Sequence, residues 1–346
     1  MLKIGNRKLG KNKPVFVIAE AGVNYNNNLS FAYKMVDLAV MAGADAVKFQ
    51  TFKADDVQLK NSIKPRYQNK IKRSYYDLIK KLEPSFNDQI KIRDYCKKKN
   101  IIFLSTPSDK KSVDFLYKLG VPAFKIASSD LNNHILLEYI AKKKRPILLS
   151  TGLATIDQVD ETVKLLNDLN MKNKTVLLQA TSDYPCKNEE VNLRVMTEYS
   201  KRYDILVGLS DHTKDYSASL GAVALGACVV EKHFTLNKRL SGPDQSSSLN
   251  PQEVVEWTNK IRIMEKSLGT NRKLITESEK RNLSMRKILV IKPAKKGTII
   301  TKDILDAMRG TKDGILPVQR NTKKIIGKRL LTNVPERTQF SWNMIK

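Results

Sequence analysis

Eight apolar runs of strand length recur along the chain, at 15–21, 45–50, 101–107, 123–128, 146–151, 176–181, 205–210 and 229–234. Most are followed by polar turn residues and then by a stretch with apolar residues at helical spacing, as in SFAYKMVDLAVMAG, SVDFLYKLG and TIDQVDETVKLLNDL. Strands this continuously apolar are shielded on both faces, and their alternation with amphipathic helices specifies a parallel sheet covered outside by helices. Eight such units close into a (β/α)8 TIM barrel, an α/β fold whose functional groups gather at the C-terminal strand ends. The segment 51–100 is too long for one helix and reads as an insertion on that functional side. Its neighbouring Tyr75 and Tyr76 read as packing residues.

A barrel of about 250 residues leaves part of the chain over. We assign 1–270 to the barrel, the polar stretch 271–285 to a linker, and 286–346, where short β-like runs such as KILVIK and GTII take over, to a small C-terminal domain. A unit of that size is marginal by itself, so it is expected to dock onto something.

The strand ends are rich in chemistry. Glu20 and Asn24 close the first, Lys48 and Gln50 the second, Ser105 and Thr106 the third, and Lys125, Ser128 and Asp130 the fourth. Ser150 and Thr151 close the fifth, Thr181 and Tyr184 follow the sixth, Ser210 and His212 end the seventh, and His233 ends the eighth. Lysine is seldom buried without a partner, yet Lys48 and Lys125 each sit inside an apolar run. Cationic heads ringed by hydroxyls suit a phosphate or carboxylate, so this rim is read as an anion site.

Of three histidines in the chain, His212 and His233 stand 21 residues apart across a strand–helix–strand pattern. If their strands are parallel neighbours, the ends lie about 5 Å apart, and both imidazoles can reach one metal ion with positions left open for substrate. The alternative is that each is a hydrogen-bonded polar residue at a strand end. Asp211 and Glu231, near the histidines, are candidates either for carboxylates that support the metal ligands or for neighbouring polar groups.

The net charge is +27, from 62 basic and 35 acidic residues. The lysines are spread over helix faces and no aromatic-plus-arginine binding module accompanies them, so no nucleic-acid partner is expected. They form a solvated surface that draws in anions. Cys96, Cys186 and Cys228 are too few and too scattered for a disulfide framework or a zinc cluster, which suits a reducing compartment. The N-terminus lacks the apolar core of a signal peptide, and no run approaches the ~18 apolar residues of a membrane span. A soluble, cytoplasmic protein with no membrane partner is the expectation.

The motifs IAEAGVN, GADAVKFQTF, FLSTP, FKIAS, LLSTG, GLSDHT, GAVALGACVVEKHFTL and SGPD, followed by KKGTIITKDIL, occur in one order along essentially the whole chain. Together they resemble the N-acetylneuraminate (sialic acid) synthase family and its relatives that make other nonulosonic acids, including legionaminate- and pseudaminate-type synthases. The resemblance implies a transferase that condenses phosphoenolpyruvate with the open-chain aldehyde of an N-acyl hexosamine, releasing phosphate and giving a nine-carbon 2-keto acid. It further implies that His212 and His233 hold a divalent metal, Mn2+ or Mg2+, and that Glu20 handles a proton. By the same resemblance Lys48, Thr106, Lys125, Ser128, Ser150 and Ser210 bind phosphoenolpyruvate, and Gln50, Asp130, Tyr184 and Asp244 surround the sugar. It implies, too, a homodimer whose small domain, similar to type III antifreeze proteins (the SAF fold), caps the partner's barrel and presents Arg309 to the sugar's acyl group. A surface arginine in a turn is the other reading of Arg309.

Several residues depart from the usual family pattern: Tyr25, Ser129, Asp130, Gln179, Ala180 and Gln245. They cluster, on this reading, toward the sugar side and leave the sugar open. N-acetylmannosamine is the first expectation and a 2,4-diacetamido-2,4,6-trideoxyhexose, as used by a legionaminate-type enzyme, the alternative. Two further classes stand against both: a barrel that has lost catalysis and binds polyanions, and an aldolase-like enzyme acting on a sugar phosphate.

Overall fold

The structure, a computed structural model, describes residues 1–64, 73–281 and 285–345. Part of the 51–100 insertion and of the expected linker therefore lies outside the described residues. The chain divides into two compact units, Met1–Gly269 and Thr270–Lys346.

The first unit opens on a hairpin, β1 (Leu2–Ile4) and β2 (Arg7–Leu9), which the sequence reading did not foresee. Eight strands follow: β3 (Phe16–Gly22), β4 (Ala46–Thr51), β5 (Ile102–Pro107), β6 (Phe124–Ile126), β7 (Ile147–Ser150), β8 (Thr175–Ala180), β9 (Leu206–Asp211) and β10 (Val229–His233). Every ladder among them is parallel, in the order β5-β4-β3-β10-β9-β8-β7-β6, and β5 lies against β6 to complete the ring. Each of the eight expected runs overlaps one of these strands, with ends shifted by a few residues at most.

The strands' two-residue period separates an outer from an inner layer. Val17, Ala19, Val47, Phe49, Leu149 and Leu177 pack outward against helices that include α1 (Leu29–Met41) and the long helix Pro251–Leu268. Inside, Phe16, Ile18, Ala46, Leu104, Leu148 and Val176 fill the N-terminal half of the ring, and Leu2, Ile4 and Leu9 of the hairpin close that end. The same inward parity continues toward the C-terminal ends into Glu20, Lys48, Thr106, Lys125, Ser150, Ser210, Glu231 and His233. The barrel is therefore an apolar plug beneath a polar floor, and its packing fixes the floor's side chains from below.

Between β4 and β5, a short helix at Ala54–Val57 and another at Tyr75–Leu82 pack on Val23 and Phe52 through Leu78 and Leu82, a small core of their own. Glu83 ties them together: its carboxylate accepts from the Ala54 backbone N–H at 2.9 Å and from Lys53 at 3.1 Å.

The second unit carries a three-stranded antiparallel sheet, β12 (Leu305–Arg309), β11 (Arg286–Val290) and β13 (Thr338–Gln339), in that order. Ile288, Val290, Ile300, Ile325, Leu330 and Phe340 form its core. Arg309, the last residue of β12, is exposed and lies opposite Arg286 in the ladder.

Candidate active site

The C-terminal mouth of the barrel holds a cavity of about 760 Å³, within the usual range for small-molecule sites. On its lining are Glu20, Lys48, Gln50, Thr106, Lys125, Ser128, Asp130, Ser150, Tyr184, Ser210, His212 and His233, twelve of the fourteen residues expected to serve the site. Asp244 is buried and charge-coupled to Tyr75, which lines the cavity, while burial pushes the Asp244 carboxyl up to about 6. Arg309 belongs to the other unit.

On the floor, the Lys48 ammonium lies 2.8 Å from Glu20, 3.5 Å from Glu231 and 3.0 Å from the Thr106 hydroxyl. The Lys125 ammonium donates to the Ser150 hydroxyl at 2.7 Å and to the Ile126 carbonyl at 3.0 Å, with Glu231 at 3.9 Å. All four charged groups are almost wholly removed from water. Burying charge is costly unless it is paired, and here two cations face two carboxylates. Burial alone would lower the Lys48 pKa, but Glu20 and then Glu231 outweigh it and raise it. Lys125 has weaker partners, so burial prevails and brings it down to about 8. Glu231, which burial would raise, is held below the usual carboxylate range by Lys125 and Lys48. Burial dominates at Glu20 and pushes its carboxyl up to about 7, with Lys48 opposing in part and Glu231 reinforcing. One carboxylate thus stays charged while the other sits near neutrality, the separation expected of a charge holder and a proton carrier.

His212 and His233 converge with ring centroids 5.9 Å apart, and Tyr184 covers both at 4.1 and 5.6 Å. His212 Nδ1 donates to the Thr181 carbonyl at 2.7 Å, which leaves Nε2 as the ring's lone-pair nitrogen, 3.3 Å from the Ser210 hydroxyl. Burial pulls the His212 pKa down to about 4 and drives that of His233 well below its ordinary value, so both rings are neutral. His233 Nδ1 is buried without a hydrogen-bond partner among the described residues. Two neutral imidazoles, one oriented by a carbonyl and one with an unpartnered buried nitrogen, fit a divalent ion. Among the described residues no cluster of three or more His, Cys, Asp or Glu stands ready for a metal, so any ion here would keep positions open for water or substrate.

The loop after β7 comes close enough to shape the anion side. Gly152 N donates to Ser128 Oγ at 3.0 Å, and a Cβ on Gly152 would collide with the Ser128 and Ser182 hydroxyls. Only glycine lets the backbone pass there.

The structure revises three sequence expectations. Glu231 bridges both lysines on the floor, and it also accepts, at 3.3 Å, from the Ser210 hydroxyl that contacts His212 Nε2; its parity with His233 was a signal available in the sequence. Asp211 points to the other face, where it pairs with Lys232 at 3.0 Å and accepts from Ser219 at 2.5 Å. Tyr75, read as packing, lines the cavity as well as the insertion's core. Among the departures from the family pattern, Ser129 and Asp130 line the cavity. Tyr25 packs edge-on against Phe49 in the outer layer, Gln179 donates to the Val191 carbonyl at 2.9 Å, and Gln245 donates to the Asn24 carbonyl at 2.8 Å. A shallower cavity at the opposite end meets Arg7, Lys13 and Arg262, but Arg7 and Arg262 are already bound to Asp45 at 2.5 and 2.8 Å.

Ammonium groups sunk at the end of an apolar barrel are worth their desolvation where an anion is handled, and with a proton-poised carboxylate beside them this is a barrel enzyme acting on a small anionic substrate. The NeuB family profile matches residues 35–273. This chain belongs to that family, and it is a synthase of sialic acid or a related nonulosonic acid. It is 42% identical over 303 residues to an N,N'-diacetyllegionaminic acid synthase of Campylobacter jejuni, covering 86% of this chain and 91% of the relative. It is 35% identical to the human N-acetylneuraminate-9-phosphate synthase, covering 95% of this chain and 92% of the relative. Among solved structures, an N-acetylneuraminic acid synthetase of Leptospira borgpetersenii in complex with citrate matches with a TM-score of 0.72 and 32% identity, over 82% of this chain and 94% of that one. Two different sugars are represented in those names.

Proposed function

We propose that this enzyme condenses phosphoenolpyruvate with the open-chain aldehyde of a 2,4-diacetamido-2,4,6-trideoxyhexose, with N-acetylmannosamine as the second candidate. Carbon 3 of phosphoenolpyruvate bonds to the aldehyde carbon, one water is consumed, and phosphate and a nine-carbon 2-keto acid leave. The observation that carries the reading is the pairing, in one cavity, of a two-lysine anion floor with a two-imidazole corner. The higher identity to the legionaminic acid synthase, 42% against 35% for the human relative, favours the diacetamido sugar.

In this reading Lys48, Thr106, Lys125, Ser128, Ser150 and Ser210 hold the carboxylate and phosphate of phosphoenolpyruvate, and Glu231 fixes both ammonium heads. Glu20 holds or delivers the proton on the aldehyde side, where a pKa of about 7 suits either role near neutral pH. Gln50, Asp130, Tyr184 and Asp244 orient the sugar. His212 and His233 would hold a divalent cation such as Mn2+ or Mg2+, which when bound supplies Lewis-acid polarisation of a carbonyl oxygen. Incubation of the purified protein with phosphoenolpyruvate, Mn2+ and each sugar in turn, with phosphate release followed, tests the reading. Release with the diacetamido sugar and little with N-acetylmannosamine is expected; release with neither contradicts it.

A pH dependence follows from Lys125. Its ammonium form, the form that attracts an anion, prevails below about pH 8 and is lost above it. Since kcat/KM reports groups of the free enzyme, kcat/KM for phosphoenolpyruvate should fall on an alkaline limb near pH 8. Lys125→Arg should remove that limb even if it lowers the plateau, whereas an unmoved limb would assign it to another group.

The small domain is read as an SAF-type cap contributed across a homodimer. Leu153, exposed at the cavity's edge and held at φ 64°, is apolar surface that such a cap would cover. Arg309→Ala should raise the sugar KM about tenfold, the loss of one hydrogen bond from a charged donor, and leave the KM of phosphoenolpyruvate within about twofold. Equal effects on both substrates would contradict this role.

A further inference from the structure

The chain segment between β4 and β5 gives the cavity one apolar side. Phe52, Val57, Tyr75 and Ile79 all line it, backed by Leu78 and Leu82. The polar neighbours there are engaged elsewhere: Asp56 binds Lys111 at 2.8 Å and Gln58 donates to Ser62. This side stands at the rim. Lys48 and Gln50 climb β4 in a two-residue step and Phe52, just past the strand's end at Thr51, continues it, so Phe52 lies about 13 Å along the chain from Lys48, at ~3.3 Å per residue.

That separation decides which end of the sugar meets it. On the reading proposed above, the aldehyde carbon must reach phosphoenolpyruvate at the lysine floor and the imidazole corner. With phosphoenolpyruvate on the floor, the aldehyde carbon sits above it, and an extended six-carbon chain held by its first carbon directs its sixth carbon away from the floor, toward the rim. A hydroxymethyl group set against Phe52, Val57 and Ile79 would lose water without gaining a hydrogen bond, whereas a methyl group gains contact. We infer that the Phe52–Val57–Ile79 wall selects a 6-deoxy sugar by receiving its C6 methyl group, and that it is a specificity-determining surface of the enzyme. The inference rests on the proposed reaction.

A matched pair tests it: N-acetylmannosamine and its 6-deoxy analogue, each with phosphoenolpyruvate and Mn2+ and the full chain, scored as the ratio of their kcat/KM values. Wild type should favour the 6-deoxy sugar about tenfold, the usual scale for a small group in an apolar pocket. Val57→Thr combined with Ile79→Thr, which places hydroxyls on the wall, should bring the ratio to within about twofold and leave the KM of phosphoenolpyruvate unchanged. Val57→Thr alone, if the double variant folds poorly, should move the ratio in the same direction by about threefold. A wild-type ratio near one, or a preference that survives the variants, overturns the wall's role while leaving the reaction intact. Turnover of neither these sugars nor the diacetamido sugar overturns the reaction itself, and the wall's role with it.

Discussion

Lys125→Met is expected to lower kcat/KM for phosphoenolpyruvate about a thousandfold. Truncating one partner of a buried, hydrogen-bonded charge pair costs roughly 2–5 kcal/mol, or about 30- to 5,000-fold, and on the proposed reading Lys125 would meet its anion on a buried floor. Methionine keeps the alkyl stem that packs beneath the head, so the loss reports the charge. The fold should survive, because Glu231 retains Lys48 at 3.5 Å and burial already works against the Lys125 ammonium. Lys48→Met is the contrasting case. It leaves Glu20 and Glu231 buried together with only the more distant Lys125 to balance them, so both activity and melting temperature should fall. Steady-state kinetics and a thermal melt on both variants separate the two lysines. A Lys125→Met enzyme within about threefold of wild type in kcat/KM would remove the anion floor from the account.

The second large effect is expected at the imidazole corner. His212→Ala should reduce turnover by about three orders of magnitude or more, since Lewis-acid stabilisation of developing charge is worth several kcal/mol. The helices and the phosphoenolpyruvate site should persist, because His212 sits at the end of its strand and its one strong tie is to the Thr181 carbonyl. Calorimetric titration with Mn2+ should show binding to wild type and none at comparable concentration to His212→Ala or His233→Ala. Full turnover by metal-free protein, or unaltered Mn2+ binding in both variants, would return the two histidines to the simpler role of hydrogen-bonded residues at strand ends.

Much of this geometry could be read before any coordinate was seen. The barrel strands are largely apolar on both faces apart from their C-terminal ends, so the eight runs stood out against amphipathic helices, and the two-residue period carried Lys48 and Gln50, or Glu231 and His233, to one side. What escaped the sequence is equally physical. The hairpin Leu2–Leu9 has three-residue strands, too short for a pattern, and it is defined by what it plugs. Asp211 adjoins a histidine and Glu231 stands two residues from one, and nearness in sequence weighed more than parity. Parity, however, puts Glu231 inside and Asp211 outside, where Lys232 is its partner. Tyr75 belongs to a helix whose neighbours on Phe52 and Val23 are distant in sequence, and only tertiary contact brings it to the cavity. Tyr25 and Gln245, departures from the family pattern placed toward the sugar side on sequence grounds, pack against Phe49 and donate to the Asn24 carbonyl, respectively.

The most direct measurement of the central claim is mass analysis of the product formed from phosphoenolpyruvate and 2,4-diacetamido-2,4,6-trideoxyhexose in the presence of Mn2+, with phosphate quantified in the same sample. The account predicts one phosphate released for each nine-carbon 2-keto acid formed, and loss of both in Lys125→Met. Phosphate released without a nine-carbon acid, or no reaction with any N-acyl hexosamine, would contradict it.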